Sequence, residues 1–270
     1  MAVDTAPEIM GILNITPDSF SDGGLLMDDE MIGIQISRML AAGVDIFDVG
    51  GESTRPFAEP VSEQEELARV IPVIRRIRGM TDLPISIDTT KAAVAEKALA
   101  EGAAMVNDIS ALQHDPDMVR VARGYEGPLV IMHMQGTPGT MQIDPHYDDV
   151  VEEITDFFRE RIDWLATGGI ARERIIVDPG IGFGKTVEHN LTIVKNIARF
   201  KETGCPVLIG HSRKAFIGRI LDLEVDERDC ATGMLSFYCA MAGADFLRVH
   251  DVPLARQARK LASALQHCTG

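Results

Sequence analysis

Paired cysteines, basic residues and long apolar runs are all scarce in this chain, and each shortage excludes something. The four cysteines, Cys205, Cys230, Cys239 and Cys268, form no C-x-x-C pair, and no zinc-type H-E-x-x-H spacing occurs. Cys230 and Cys239 fall within one helical stretch, where nine positions separate them by roughly 13 Å, too far to bridge. Reduced structural cysteines in a cytoplasmic protein are therefore expected. Basic residues number 26 against 41 acidic ones, a net charge of −15. Such a surface repels nucleic acid and anionic lipid, so neither is expected as a partner. It also demands that any anionic ligand be drawn in by a local basic cluster. No apolar run approaches the ~20 residues that span a bilayer. Residues 1–8 lack the basic and apolar regions of a secretory signal.

What remains is ordinary globular composition, 46% hydrophobic and 25% charged over 270 residues. Short β-rich runs alternate with amphipathic helical patterns from end to end. The expected strands are 9–13, 45–49, 85–87, 105–106, 129–132, 175–177, 207–209 and 246–249. Most are nearly continuous apolar segments, as parallel strands covered on both faces should be. One helix places Val150, Val151, Ile154, Phe157, Phe158, Ile162 and Leu165 on one face. Another opens on the capping-box sequence Ser62-Glu63-Gln64-Glu65 and contains Pro72, expected to kink it. A third begins near Thr90.

Eight β/α repeats without a composition break predict an α/β fold, a single (β/α)₈ TIM barrel over residues 1–270. Strand count alone leaves open a doubly wound sheet. The position of the polar residues favours the barrel: Asn14, Gly50-Gly51-Glu52, Asp88, Asn107, His133, Asp178, His211 and Arg248 each lie at or just past a strand's C-terminal end. Those eight ends converge on one mouth in a barrel, where its enzymes keep their sites.

Two segments look like flexible active-site loops, one after each of the first two strands. Asn14-Ile15-Thr16-Pro17-Asp18-Ser19-Phe20-Ser21, continuing into Asp22-Gly23-Gly24, follows the first strand. Its hydroxyls, carboxylates and paired glycines suit a mobile lid better than a core. Asp48-Val49-Gly50-Gly51-Glu52-Ser53-Thr54-Arg55-Pro56 has the same character, with Arg55 a planar fork for phosphate or carboxylate.

Further along, Ser86-Ile87-Asp88-Thr89 and Val106-Asn107-Asp108-Ile109 bring an acceptor and an amide to neighbouring strand ends. That pair suits the donor–acceptor edge of an aminopyrimidinone, and equally suits helix N-caps. Asp178-Pro179-Gly180-Ile181-Gly182-Phe183-Gly184-Lys185-Thr186 fails the P-loop pattern, because Pro179 stands where the first glycine is needed. It supplies instead a buried carboxylate and an aromatic wall. Gly210-His211-Ser212-Arg213-Lys214 and Arg248-Val249-His250-Asp251 put a basic cluster after the last two strands, the usual phosphate site of barrels. Taken alone, Arg213 also reads as a structural ion pair and His250 as a satisfied core histidine.

These motifs, with Met132-His133-Met134-Gln135-Gly136 and Met141-Gln142 after the fifth strand, resemble the dihydropteroate synthase family from about Met10 to Val252. The chain departs from the family at Phe57, where Gly is usual, and at Ala215, where many relatives have Ser. The resemblance implies condensation of 6-hydroxymethyl-7,8-dihydropterin diphosphate with p-aminobenzoate, giving 7,8-dihydropteroate and pyrophosphate. It implies that Asp88, Asn107, Asp178 and Lys214 hold the pterin, and that Ile109, Met132 and Phe183 shape its slot. Arg55, Arg248, His250 and Asn14 would bind the diphosphate, with Asn14 touching Mg²⁺, which arrives chiefly with that group. Phe20, Asp22, Thr54, Pro56 and the Ala215 backbone N–H would meet p-aminobenzoate. Asp22, Arg55, Lys214 and Arg248 are the implied catalytic group. A homodimer and sulfonamide binding also follow only from the resemblance.

Three other readings share some of these features. A pterin-binding methyltransferase that uses methyltetrahydrofolate shares the carboxylates but has no use for a diphosphate cluster. A non-catalytic pterin-binding protein could lose both loops. A barrel enzyme acting on a phosphorylated sugar would explain the basic loops but not the buried acceptors.

Overall fold

The computed structural model describes residues 6–15, 29–53, 60–137 and 139–268. Its elements alternate as β1 (Glu8–Asn14), α1 (Asp29–Ala42), β2 (Ile46–Gly50), α2 (Glu63–Met80), β3 (Ile85–Asp88), α3 (Ala92–Ala100), β4 (Met105–Asp108), α4 (Met118–Gly124) and β5 (Leu129–Met132). There follow α5 (Val150–Thr167), β6 (Ile175–Asp178), α6 (Val187–Lys195), α7 (Ile197–Phe200), β7 (Leu208–Ile209), α8 (Ala215–Leu221), α9 (Asp229–Met241), β8 (Phe246–Val249) and α10 (Val252–Gln266). All the strand pairings are parallel, in the order β6-β5-β4-β3-β2-β1-β8-β7. A parallel bridge between Val177 and Val207 joins the two ends. The sheet is a nearly closed (β/α)₈ barrel, which removes the doubly wound alternative.

Alternation along each strand sorts its side chains between two cores. One set, including Ile9, Leu13, Phe47, Val49, Ile85, Ile87, Ile131 and Val177, packs outward in the large core shared with the helices. Phe158 of α5 is buried in that core, and truncating it to Ala should cost about 3–5 kcal/mol. The other set points into the barrel. Met10, Ile46, Met105, Val130, Ile176 and Leu208, with Phe246 against them, form a separate apolar plug. Further along six of the strands the same inward phase turns polar: Asn14, Asp48, Ser86, Asp88, Asn107, Asp178 and Arg248. The plug closes one end of the barrel, and the polar tier makes the floor of the other.

Local sequence accounts for the helix starts. The Ser62 side chain accepts the Glu65 backbone N–H and α2 runs through Pro72 to Met80. Asp149 caps α5 by accepting from Val151 and Glu152. Asp251 accepts from Leu254 at the start of α10. All four cysteines are free, and Cys230 and Cys239 both lie on α9. Among the described residues, no helix is long and apolar enough to cross a membrane.

Candidate active site

Five of the residues that sequence reading placed at strand ends meet at the barrel mouth: Asn14, Asp88, Asn107, Asp178 and Arg248. Asp88 and Asn107 are direct register partners on β3 and β4, and neither caps a helix, since Lys91 and Asp117 stand at those N-caps. Gly50 leaves room between them and β1. A methyl there would sit 3.6 Å from both Asn14 Oδ1 and Asp88 Oδ2, in the middle of the opening. Gly210 does the same on the far side, where a methyl would come within 3.4 Å of Asp178 Oδ2.

The charges of the floor are arranged around Arg248. Its Nε donates to Asp48 Oδ2 at 2.6 Å and its Nη2 to Asp88 Oδ2 at 2.6 Å, while Nη2 also stands 2.6 Å from Asp48. Burial opposes the guanidinium charge, yet Asp48 and Asp88 hold its pKa above the ordinary value. Burial raises the Asp88 carboxyl to about 7 against the pull of Arg248. Asp178 is likewise raised by burial, opposed by the Gly180 N–H that its Oδ1 accepts at 2.8 Å. Lys214 lies with Nζ 4.0 Å from the centre of the Phe183 ring. Burial and the neighbouring Arg248 lower it to about 8.

Several of these groups are left open. The Asn107 amide, Asp178 Oδ2, Lys214 Nζ, Arg248 Nη1 and the Asn14 amide make no hydrogen bond to another described residue. Asn107 and Asp178 are nonetheless buried. Their open atoms reach solvent, unlike Asp48 Oδ1 and Ser86 Oγ, so the open set is accessible to a ligand that can pair with it. Beside it lies a small apolar cluster of Ile109, Met132, Met141 and Phe183, with Met134 against it and separate from the main core. Donors and acceptors thus edge a slot with thioether and aromatic walls, a form suited to a flat heterocycle.

The loops after β7 and β8 are stitched together by a residue that sequence reading did not single out. Ser212 Oγ accepts the His250 backbone N–H at 3.1 Å and lies 2.9 Å from His250 Nδ1. Burial, with Arg213 and Arg248 nearby, lowers His250 to about 3, so the ring is neutral. In the tautomer where the serine hydroxyl donates to Nδ1, the ring proton sits on Nε2 and that nitrogen is a donor toward the mouth.

The other expected residues are placed as follows. Arg248, expected among the diphosphate ligands, has two of its three nitrogens engaged by carboxylates. Arg213 does not join the basic cluster, because its guanidinium forks onto Asp229 at 2.6 and 2.7 Å. His211 is turned into the protein, 2.8 Å from Ser236 Oγ, and lowered by burial to about 4. His133 faces Lys185, whose Nζ lies 3.1 Å from His133 Nδ1 and donates to the Phe183 carbonyl at 2.9 Å. Glu52 is tied down by Lys91 at 2.5 Å and the Val61 N–H at 3.1 Å. Phe20, Asp22, Thr54, Arg55, Pro56 and Phe57 lie outside the described residues. Ala215 begins α8, directly after Lys214.

Asp48, Lys185 and Ser212 carry structural weight that sequence reading missed. Only Asp48 had a clear signal, an acid in inward phase with Ile46 inside an apolar strand.

Comparison with known proteins agrees with this geometry. The family described as pterin binding enzyme matches residues 10–250. Dihydropteroate synthase of Synechocystis sp. is 47% identical over 95% of this chain and 89% of its own length. A Yersinia pestis dihydropteroate synthase solved with a sulfonamide drug superposes with TM-score 0.93 at 40% identity, covering 97% of this chain and 95% of that one. A Xanthomonas albilineans dihydropteroate synthase solved with 4-aminobenzoic acid gives TM-score 0.92 at 42% identity, covering 98% and 95%. With its fold, its mouth and its sequence all in agreement with these proteins, the chain belongs to the dihydropteroate synthase family of pterin binding enzymes.

Proposed function

We propose that this protein joins 6-hydroxymethyl-7,8-dihydropterin diphosphate to p-aminobenzoate, releasing pyrophosphate and forming 7,8-dihydropteroate. The observation that carries the reading is the set of open polar atoms beside the apolar slot: the Asn107 amide, Asp178 Oδ2 and Lys214 Nζ. Asp178 accepts from the pterin's amino edge, Asn107 and Asp88 meet its remaining edge, and Lys214 donates to it. Ile109, Met132 and Phe183 hold the ring faces. His250 Nε2–H and Arg248 Nη1 donate to the diphosphate, assisted by Arg55. Phe20, Asp22, Thr54, Pro56 and Ala215 receive p-aminobenzoate.

In the reaction the methylene C–O bond breaks and pyrophosphate leaves with the electron pair. The aniline nitrogen forms the new C–N bond and loses a proton. Positive charge on the exocyclic methylene delocalises into the dihydropterin ring, so departure runs ahead of attack. Buried carboxylates on the barrel floor favour that cationic character.

A single amide is a modest metal ligand, and among the described residues no group of three His, Cys, Asp or Glu side chains is placed to hold a metal. That fits Mg²⁺, which binds through few protein groups, water and phosphate oxygens. Asn14 would hold it, and the ion would neutralise charge on the leaving diphosphate. A second copy of the chain is the partner we propose. Leu221, Met234, Tyr238, Met241, Leu261 and Leu265 remain exposed on α8, α9 and α10, apolar side chains that a second copy could cover. Sedimentation should give twice the chain mass.

The test of the activity is pyrophosphate release from the dihydropterin diphosphate, with and without p-aminobenzoate. Release should depend on p-aminobenzoate and yield dihydropteroate in equal amount. No release, or methyl transfer from methyltetrahydrofolate instead, would overturn the reading.

A further inference from the structure

We infer that Asp48 is a positioning residue, one that fixes the Arg248 guanidinium for the diphosphate without touching the ligand itself. The inference rests on the transferase reading above. Asp48 is fully buried on β2, one inward step beyond the apolar plug residue Ile46 and one short of Gly50 at the opening. Ligand access is through the mouth, on the far side of Gly50, Asp88 and Arg248.

A buried carboxylate in that place is costly unless a cation is held against it. Arg248 is that cation: Asp48 Oδ2 accepts from Nε at 2.6 Å and stands 2.6 Å from Nη2. The other oxygen, Oδ1, is buried without a hydrogen-bond partner, so among the described residues the polar hold on Asp48 runs through Arg248. The converse dependence decides function. Arg248 has two anchors, and Asp88 is the one that also faces the ligand. With Asp48 in place, Nε and one edge of Nη2 are fixed from beneath, and Nη1 makes no hydrogen bond to a described residue. Without it, the fork is free to turn both its η nitrogens onto Asp88. That would take a pterin acceptor and the diphosphate donor out of use together. Bidentate geometry of this kind supplies direction as well as charge.

A double-mutant cycle on the full-length protein tests the coupling. Asp48→Asn retains the shape of the side chain and removes its charge. Measured by calorimetry, inorganic pyrophosphate affinity should fall ~10-fold or more, a loss of the size seen when one partner of a buried charge pair is removed. Affinity for a pterin lacking diphosphate should fall less. In turnover the loss should appear for the dihydropterin diphosphate, with KM for p-aminobenzoate unchanged. Arg248→Ala should lower the melting temperature because it strands Asp48. Adding Asp48→Asn to that variant should raise the melting temperature and leave pyrophosphate affinity unchanged. Wild-type pyrophosphate affinity in folded Asp48→Asn, or an undiminished effect of Asp48→Asn once Arg248 is gone, would overturn the proposal. If Asp48→Asn folds poorly, Arg248→Lys is the second arm. It keeps the charge but has no fork to span Asp48 and Asp88, so pyrophosphate affinity should again fall; wild-type affinity would count against the proposal. Failure of the wild type to make product would defeat the transferase reading, whereas the binding and melting cycle judges Asp48 separately.

Discussion

The two sides of the barrel mouth are held in place by different physics. On the β2, β3 and β8 side, Arg248 sits between Asp48 and Asp88, partners 200 and 160 positions away in sequence. Position there is set by charge-assisted hydrogen bonds among side chains. On the β5 and β6 side, two loops grip each other through backbone. Lys185 donates to the carbonyls of His133 and Phe183, Tyr147 to that of Gly184, and Gln142 to that of Gly182. A side built from charges can lose function while the fold survives. A side built from backbone contact should lose slot and stability together.

The strongest blow to the clasped side is Gly180→Ala. Gly180 has φ +71°, and a methyl there would lie 2.0 Å from the His133 carbonyl oxygen. Strain at such a backbone position costs about 1–3 kcal/mol, and the clash with backbone that cannot rotate away adds to it. Urea unfolding should show a loss above that range, with pterin affinity falling alongside. A stable variant with weak pterin binding would blur the distinction between the two sides.

At the end of β6 the corresponding change to a charge, rather than to backbone, is Asp178→Asn. It places an N–H toward a ligand edge that already offers donors, and mispairing a buried group costs about 1–3 kcal/mol, more for a charge. Pterin affinity should drop ~10-fold or more in calorimetry, with the melting temperature near that of the wild type. Unchanged affinity would remove Asp178 from the pterin site.

How far the sequence anticipates these two sides follows from the range of the forces. The eight strands are legible because apolar runs between helical patterns report local burial. Their ends are less so. Asn14, Asp88, Asp108 and Asp178 are the last residues of strands rather than the first of loops, since pairing with a neighbouring strand outweighs their turn preference. Asn107 and Asp178 are expected at the mouth from motif and position, and the structure places both at strand ends with open polar atoms. His133 and His211 sit at the same nominal positions but turn away, because Lys185 and Ser236 offer partners on elements distant in sequence. The clasp is invisible for that reason too. Testing residues 178–186 for a phosphate-binding pattern disposes of one function for Lys185 and says nothing of the carbonyls folded around it.

A milder probe of the charged side is pH. Lys214 is lowered to about 8, so its ammonium is present below that value and lost as pH rises through it. Affinity for the dihydropterin diphosphate should therefore fall by about tenfold between pH 7 and pH 9, following the protonated fraction. In Lys214→Arg the guanidinium stays charged, so that limb should flatten even if overall binding weakens. His250, lowered to about 3, contributes no limb in this window. A persistent decline near pH 8 in Lys214→Arg would assign the titration elsewhere.

The smallest effect expected is at Arg213, and it marks where the charged side ends. Arg213 is one residue from Lys214 and carries the same charge, yet its fork is spent on Asp229 at 2.6 and 2.7 Å. Both side chains are partly exposed, at 33% and 24%, and ion pairs in that setting contribute about 0–1 kcal/mol. Arg213→Ala should thus lower stability by no more than about 1 kcal/mol, and salt should shrink the difference further. Pterin and pyrophosphate affinities should match the wild type, in contrast to Asp48→Asn, where the carboxylate of a pair of similar geometry is fully buried. The difference between them would then come from burial and from what the paired arginine still offers the mouth, since Arg248 keeps Nη1 open there. A large loss of pyrophosphate affinity in Arg213→Ala would place Arg213 in the diphosphate site after all, and the boundary between structural and ligand-facing cations would have to move one residue toward the N-terminus.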